Sequence, residues 1–146
     1  HQGTRSAING ELVSGSILYP TTTDVSEEVR EGSKRLGSIV YQNVDSTGWG
    51  HLGKYVGGTA NTIARNGIAA EYGISTLLFE MRGMSDHYNK DYVLGQKSNG
   101  YLRQQTILTL ESTIKAVADG SVETADTSFW DTLPEQSTLP GEEADE

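Results

Sequence analysis

Glu80 is the residue of this chain best placed to do chemistry, because it closes the apolar run Thr76-Leu77-Leu78-Phe79. The run does not alternate with polar residues, which predicts a strand covered on both faces. In open α/β sheets ligands bind at the carboxyl ends of strands, so a carboxylate delivered there is a candidate general base. A second reading is an ion pair between Glu80 and Arg82 or another nearby base, the ordinary state of a charge at a strand end. Other chemistries lack their residues. With 0 Cys, disulfides and thiolate metal sites are excluded, and any metal must be held by His and carboxylates. His51 and His87 have no ligand partner at helical spacing and read as surface-loop histidines. The glycine-rich stretch 48–58 lacks the Lys-Ser/Thr ending of a phosphate loop, and no Gly-x-Ser-x-Gly occurs, which removes nucleotide binding and lowers serine hydrolysis.

The elements that must position Glu80 follow from periodicity. Ser16-Ile17-Leu18-Tyr19, stopped by Pro20, predicts a short strand. Asp24 with Glu27 three residues on predicts a capping box. The helix behind it carries Val25, Val29, Gly32, Leu36, Ile39, Val40 and Asn43 as one stripe toward a sheet. Gly32 and Gly37 each cost that helix roughly 1 kcal/mol relative to Ala, so tertiary packing must hold it. Residues 48–58 alternate glycines with Trp49, His51 and Tyr55, the composition of a mobile or tightly turning loop. A short helix over 59–66 would end on Gly67 in the left-handed conformation. A polar loop follows over 83–97. From residue 98 or 99 to 119 a second clear helix presents Leu102, Ile107, Leu110, Ile114 and Val117 on one face and stops at Gly120. Strand, helix, strand and helix in this order predict an α/β layer.

At 146 residues the chain has room for one sizeable core or part of a larger one, and its start at His1-Gln2-Gly3 without Met is expected to lie inside a longer protein. The net charge of -9 is unevenly spread. From residue 121 onward Glu123, Asp126, Asp131, Glu135, Glu142, Glu143, Asp145 and Glu146 face no basic residue, which leaves the preceding body near neutrality. The tail, with Pro134 and Pro140, reads as a solvated extension or linker, except that Phe129 and Trp130 are expected to dock against the body. An acidic chain of this kind is a poor nucleic-acid partner, and no run reaches membrane-spanning length.

Phe79-Glu80-Met81-Arg82, with a glycine-bearing loop before it and a polar loop and long terminal helix after it, resembles the end of the zinc metallocarboxypeptidases of the carboxypeptidase A and B type. Those enzymes carry their catalytic Glu in a Phe-Glu-Leu-Arg motif. The likeness extends through Tyr55-Val56-Gly57-Gly58-Thr59 and Asn66-Gly67-Ile68 and back to Leu18-Tyr19-Pro20 and the His1 region, covering about residues 1–119. It implies that residues 1–120 are the C-terminal half of an α/β catalytic domain, a mixed sheet flanked by helices, with 121–146 an acidic extension. It implies one Zn2+ ion held by two His and a carboxylate, a water activated on it, and Glu80 as general base and then acid. His1, or the residue before it, corresponds to the third ligand. The first two come from a His-x-x-Glu motif, which this chain lacks. Tyr55 corresponds to the tyrosine that closes over substrate, a couple of residues off the family's spacing, and Ala60 and Asn61 fall at the specificity position without the charge that basic C-terminal residues would need. The substrate-gripping arginines of the family lie upstream, so Arg5, Arg65 and Arg82 are left other work.

The resemblance thus implies a peptide substrate, a secreted or cell-envelope setting of bacterial type, and an isolated chain that is inactive without its missing N-terminal half. Two alternatives stand beside it: a noncatalytic module using the glycine-aromatic loop to bind peptide or cell-wall fragments, and a carboxypeptidase for cell-wall peptides with D-amino acids or γ-linkages.

Overall fold

The computed structural model describes residues 7–8, 11–54, 57–81 and 96–133. Two short strands, β1 (Ala7–Ile8) and β2 (Glu11–Leu12), pair antiparallel ahead of β3 (Gly15–Leu18). All four residues of β3 are buried, and β3 pairs on both edges. On one side runs β4 (Leu52–Lys54), parallel, with Gly15 opposite Leu52. On the other runs β5 (Leu78–Met81), antiparallel, with Ser16 opposite Glu80 and Ile17 opposite Phe79. The result is a small α/β domain with a mixed three-stranded sheet in the order β4-β3-β5. Gly15 is required by this double pairing: a Cβ there would lie 2.9 Å from Gln105 Nε2 and 3.0 Å from the Glu80 carbonyl oxygen.

Parallel pairing of β3 with β4 needs a crossover, which α1 (Glu27–Asp45) supplies. Its cap is Ser26 rather than the expected Asp24. Ser26 Oγ accepts from the Val29 amide at 3.2 Å, satisfying one of the helix's four orphan donors. Glu27 and Glu28 add negative charge beside the positive end of the helix dipole. Val29, Ser33, Gly37, Val40 and Val44 form the buried stripe, whose small members were invisible to a purely apolar reading. Val40 and Val44 join Ile17, Leu52, Trp130 and Leu133 in the core.

Trp130, in α4 (Phe129–Thr132), fills the notch that Gly37 leaves, so the aromatic pair docks on the body as its sequence suggested. Its ring meets Tyr19 edge-on at 4.9 Å between centroids, and Nε1 donates to the Lys34 carbonyl at 3.0 Å. Phe129 stacks on Tyr41 at 4.9 Å, and Ser38 Oγ donates to the Asp126 carbonyl at 2.6 Å. These contacts give the indole both an apolar seat and a partner for its polar atom.

Three further expectations are corrected. The glycine-aromatic stretch 48–58 contains β4, whose Gly53 pairs with Ser16 deep in the sheet. β5 is an outer strand among those described, half-buried except at Glu80, not a strand covered on both faces. And α3 (Gln96–Asp119), ended by Gly120 at φ 79°, turns its apolar stripe outward: Ile107, Leu110, Ile114 and Val117 are 55–66% exposed. The buried stripe is Leu102, Gln105, Thr109, Ser112 and Ala116, which also recurs at helical spacing and packs chiefly on α1. No described helix is long and apolar enough to cross a membrane.

The Gly37 notch makes a paired prediction. Trp130→Ala should cost about 3–5 kcal/mol. Gly37→Ala alone, which drives a Cβ into the indole, should cost about 1–3 kcal/mol. In the Trp130→Ala background the Gly37→Ala cost should largely vanish, as read by urea unfolding of all four proteins. Additive costs would show that the two residues do not share this contact.

Candidate functional site

Glu80 is the third residue of β5 and is 8% exposed. Burial penalises its charged form and raises its pKa above the ordinary Glu value, while the nearby Arg65 guanidinium partly opposes that shift. A carboxyl held this way takes up a proton more readily than an ordinary Glu. Because β5 runs against β3 and β4, Glu80 stands beside Ser16, toward the amino ends of the parallel pair. The carboxyl-end rule for parallel strands therefore does not account for its place.

The carboxyl ends of β3 and β4 carry a separate construction. The segments that follow them, around Thr21 and Gly58, are tied together by two buried side chains of α2 (Ala64–Tyr72). Asn66 is fully buried. Its Oδ1 accepts from the Thr21 amide at 2.9 Å, and its Nδ2 donates to the carbonyls of Gly58 at 3.1 Å and Ala60 at 3.2 Å. Arg65 Nη2 donates to the Gly58 carbonyl at 2.9 Å and to Thr21 Oγ1 at 3.2 Å. Thr76 Oγ1 in turn donates to the Arg65 carbonyl at 2.9 Å, which couples this clamp to the approach to β5. Gly67 lies inside α2, not at its end, where a Cβ would strike the Asn61 carbonyl. The left-handed terminator is Gly73, at φ 62°.

Ala60 and Asn61 are both exposed on this clamped loop. Asn61 Nδ2 donates to Asp24 Oδ2 at 2.6 Å, which explains why Asp24 is not the cap of α1. The structure thus brings Ala60 and Asn61 together with residues 21–24. It links them to Glu80 through Arg65, whose hydrogen bonds reach the loop and whose charge acts on the Glu80 carboxyl. Sequence reading set Arg65 aside and placed Asn66 only at the end of a short helix over 59–66. The signal that could have found them is two polar residues side by side just ahead of Gly67, where a helix must lie close to another backbone.

A cleft of about 500 Å³ opens at the same end of the sheet, between Tyr19, Thr21, Lys34, Lys54, Trp130 and Asp131. Neither Glu80 nor the Ala60-Asn61 pair lines it. His51 is exposed, with its backbone tied to Ser14 on both sides: its amide donates to Ser14 Oγ and its carbonyl accepts from the Ser14 amide and hydroxyl. His1, Tyr55, His87, Arg5 and Arg82 lie outside the described residues. Among the described residues no three His, Asp or Glu side chains come together as a metal site, so these residues do not by themselves fit a zinc ion.

Comparisons of the chain with family models, with curated proteins and with solved structures find no match.

The raised Glu80 pKa has a definite consequence for stability. The native state holds this proton more tightly than the unfolded chain, so stability falls as pH rises from the unfolded value of about 4.3 through the native one. Glu80→Gln removes the charge that burial penalises. The variant should gain stability over the parent as pH rises above about 4, and the gain should disappear in acid. Urea unfolding at several pH values checks this; parallel curves for the two proteins would refute it. For the clamp, Asn66→Ala strands buried groups on Thr21, Gly58 and Ala60 and should cost about 1–3 kcal/mol or more. Hydrogen exchange should show looser 58–61 amides in that variant; unchanged exchange would mean the loop is held by other contacts.

Proposed function

We propose that this chain is the C-terminal half of a zinc-dependent carboxypeptidase domain and that Glu80 is its general base. The observation that carries the reading is a buried carboxyl with a raised pKa inside Phe79-Glu80-Met81-Arg82, on a strand pinned by its pairing with β3. On this reading the ion is held by His1, or the residue before it, together with residues upstream of this chain. Since the described residues do not form such a site, the chemistry derived below is that of Glu80 alone.

Glu80, deprotonated, accepts a proton from a water as the water oxygen adds to the carbonyl carbon of the C-terminal peptide bond. The C–N bond then breaks, and the proton on Glu80 passes to the departing amine. One group serves as base and then as acid, and a carboxyl whose pKa is raised by burial gives up and recovers a proton for this more readily than an ordinary Glu. The clamp supports a positioning role for the loop: Ala60 offers only a methyl group, and the Asn61 amide is already committed to Asp24. On this reading a specificity position at Ala60 and Asn61 favours uncharged C-terminal side chains over basic ones.

On this reading the test is made on a protein that carries this chain joined to the upstream half of the proposed domain. Glu80→Gln should lower kcat by about 10²–10⁴-fold while zinc stoichiometry stays at the parent value. Parental turnover in that variant would overturn the assignment. In the parent, kcat/KM should fall in acid with a midpoint above the ordinary Glu range, since the base is active only when ionised. An acid midpoint at or below about 4.3 would assign the base to another group.

A further inference from the structure

The cleft at the carboxyl ends of β3 and β4 takes no part in the chemistry assigned to Glu80, which does not line it. At about 500 Å³ it has the size of a small-molecule site, and it stands where open α/β sheets take their ligands. Strand alternation decides which side chains reach it. Leu52 and Lys54 share one face of β4, and Leu52 packs with Ile17, Trp130 and Leu133 in the core. Lys54 therefore rises on the side of the sheet that α1 and α4 cover, opposite Ile17 in the register. Tyr19, two residues beyond Ile17, meets Trp130 edge-on, and both rings line the same cleft.

The four charged residues of the cleft divide into two pairs. Lys34 and Asp126 are already engaged. The Lys34 ammonium pairs with Glu31 and lies over the Tyr19 ring, and the Asp126 carboxylate accepts from the amide and hydroxyl of Ser128. Lys54 and Asp131 are not engaged: among the described residues neither side chain has a hydrogen bond or an ion pair. One unanswered charge of each sign thus lines a single cleft with an aromatic wall.

We propose that this cleft binds a free α-amino acid as its zwitterion, with the carboxylate on Lys54, the ammonium on Asp131 and an apolar side chain along the Tyr19 and Trp130 rings. Ligands of other charge fit worse. A phosphate or a dicarboxylate would face Asp126 and Asp131 with Lys54 alone to answer it. A cation, metal or organic, would meet the ammonium groups of Lys34 and Lys54, and the described residues gather no three metal-binding side chains. An uncharged ligand would cover Lys54 and Asp131 and leave both charges without a partner, which costs binding energy. This binding is independent of the carboxypeptidase reading, because neither Glu80 nor the Ala60-Asn61 pair lines the cleft.

Calorimetric titration of the 146-residue chain with L-phenylalanine tests the proposal. The amino acid should bind. L-phenylalaninamide, which lacks the carboxylate, and N-acetyl-L-phenylalanine, which lacks the ammonium, should each bind at least about tenfold more weakly. Lys54→Met should remove the preference for the acid over the amide, and Asp131→Asn the preference for the free over the acetylated amine. The comparison of the three compounds needs no substitution, so it stands whether or not a variant folds. Backbone amide shifts on adding phenylalanine should gather at Tyr19, Lys54 and residues 126–131. No binding, equal binding of the three compounds, or variants that keep both preferences would overturn the proposal. So would a dipeptide that binds more tightly than phenylalanine, since the two charges would then be matched at a longer spacing. Amide shifts centred on residues 60–61 and 78–81 would also overturn it, by moving the amino acid to the site proposed for catalysis. Any of these results leaves the role of Glu80 to be read separately from the turnover of Glu80→Gln.

Discussion

The double pairing of β3 is the constraint on which the rest depends. A strand buried along its whole length must satisfy its amides and carbonyls on both edges, since no water reaches them. The parallel partner on one edge demands a crossover and so dictates the course of α1. The antiparallel partner on the other edge holds Glu80 opposite Ser16, which fixes the carboxylate along a strand and not on a loop. Gly15 is the local condition for both, because a side chain there would push against Gln105 on α3 and the backbone of β5 at once.

Around that strand the protein relies on backbones approaching closely where glycine or serine leaves room. Trp130 enters α1 at Gly37, and α2 comes down on the 60–61 loop at Gly67. Serine hydroxyls complete the same theme: Ser33 receives the Thr76 amide at 3.0 Å, and Ser38 holds the Asp126 carbonyl. The contacts at Gly37, Ser33 and Ser38 join parts of the chain distant in sequence, so the helix penalty of Gly37 is offset by a tryptophan some ninety positions away. Asn66 applies the same logic to polar groups, satisfying three loop backbone atoms from one enclosed side chain.

The electrostatics of Glu80 follow from this frame. Its carboxyl is raised by enclosure and moderated by Arg65, whose guanidinium is itself fixed by carbonyls of the Tyr19–Thr21 and Gly58 segments. A change at the loop clamp is thereby a change in the field at the carboxyl.

Sequence alone determined the α/β class, the strands at Ile17 and Phe79, the helices beginning near Glu27 and ending at Gly120, and the docking of Phe129 and Trp130. These are local signals: apolar runs, capping residues, terminal glycines and isolated aromatics read the same way in any tertiary setting. What only the folded chain decided has a common physical cause, that competing local solutions were settled by partners far along the chain. Asp24 and Ser26 both suit a helix cap, and Asn61 took Asp24 away. Gly67 and Gly73 both suit a helix end; the left-handed terminator is Gly73, and Gly67 instead leaves room for the Asn61 carbonyl against the helix. Leu52-Gly53-Lys54 has no strand signal of its own and became one because β3 offered an unpaired edge. On α3 two stripes had helical spacing, and packing against α1 chose the less apolar one, leaving the other to face outward.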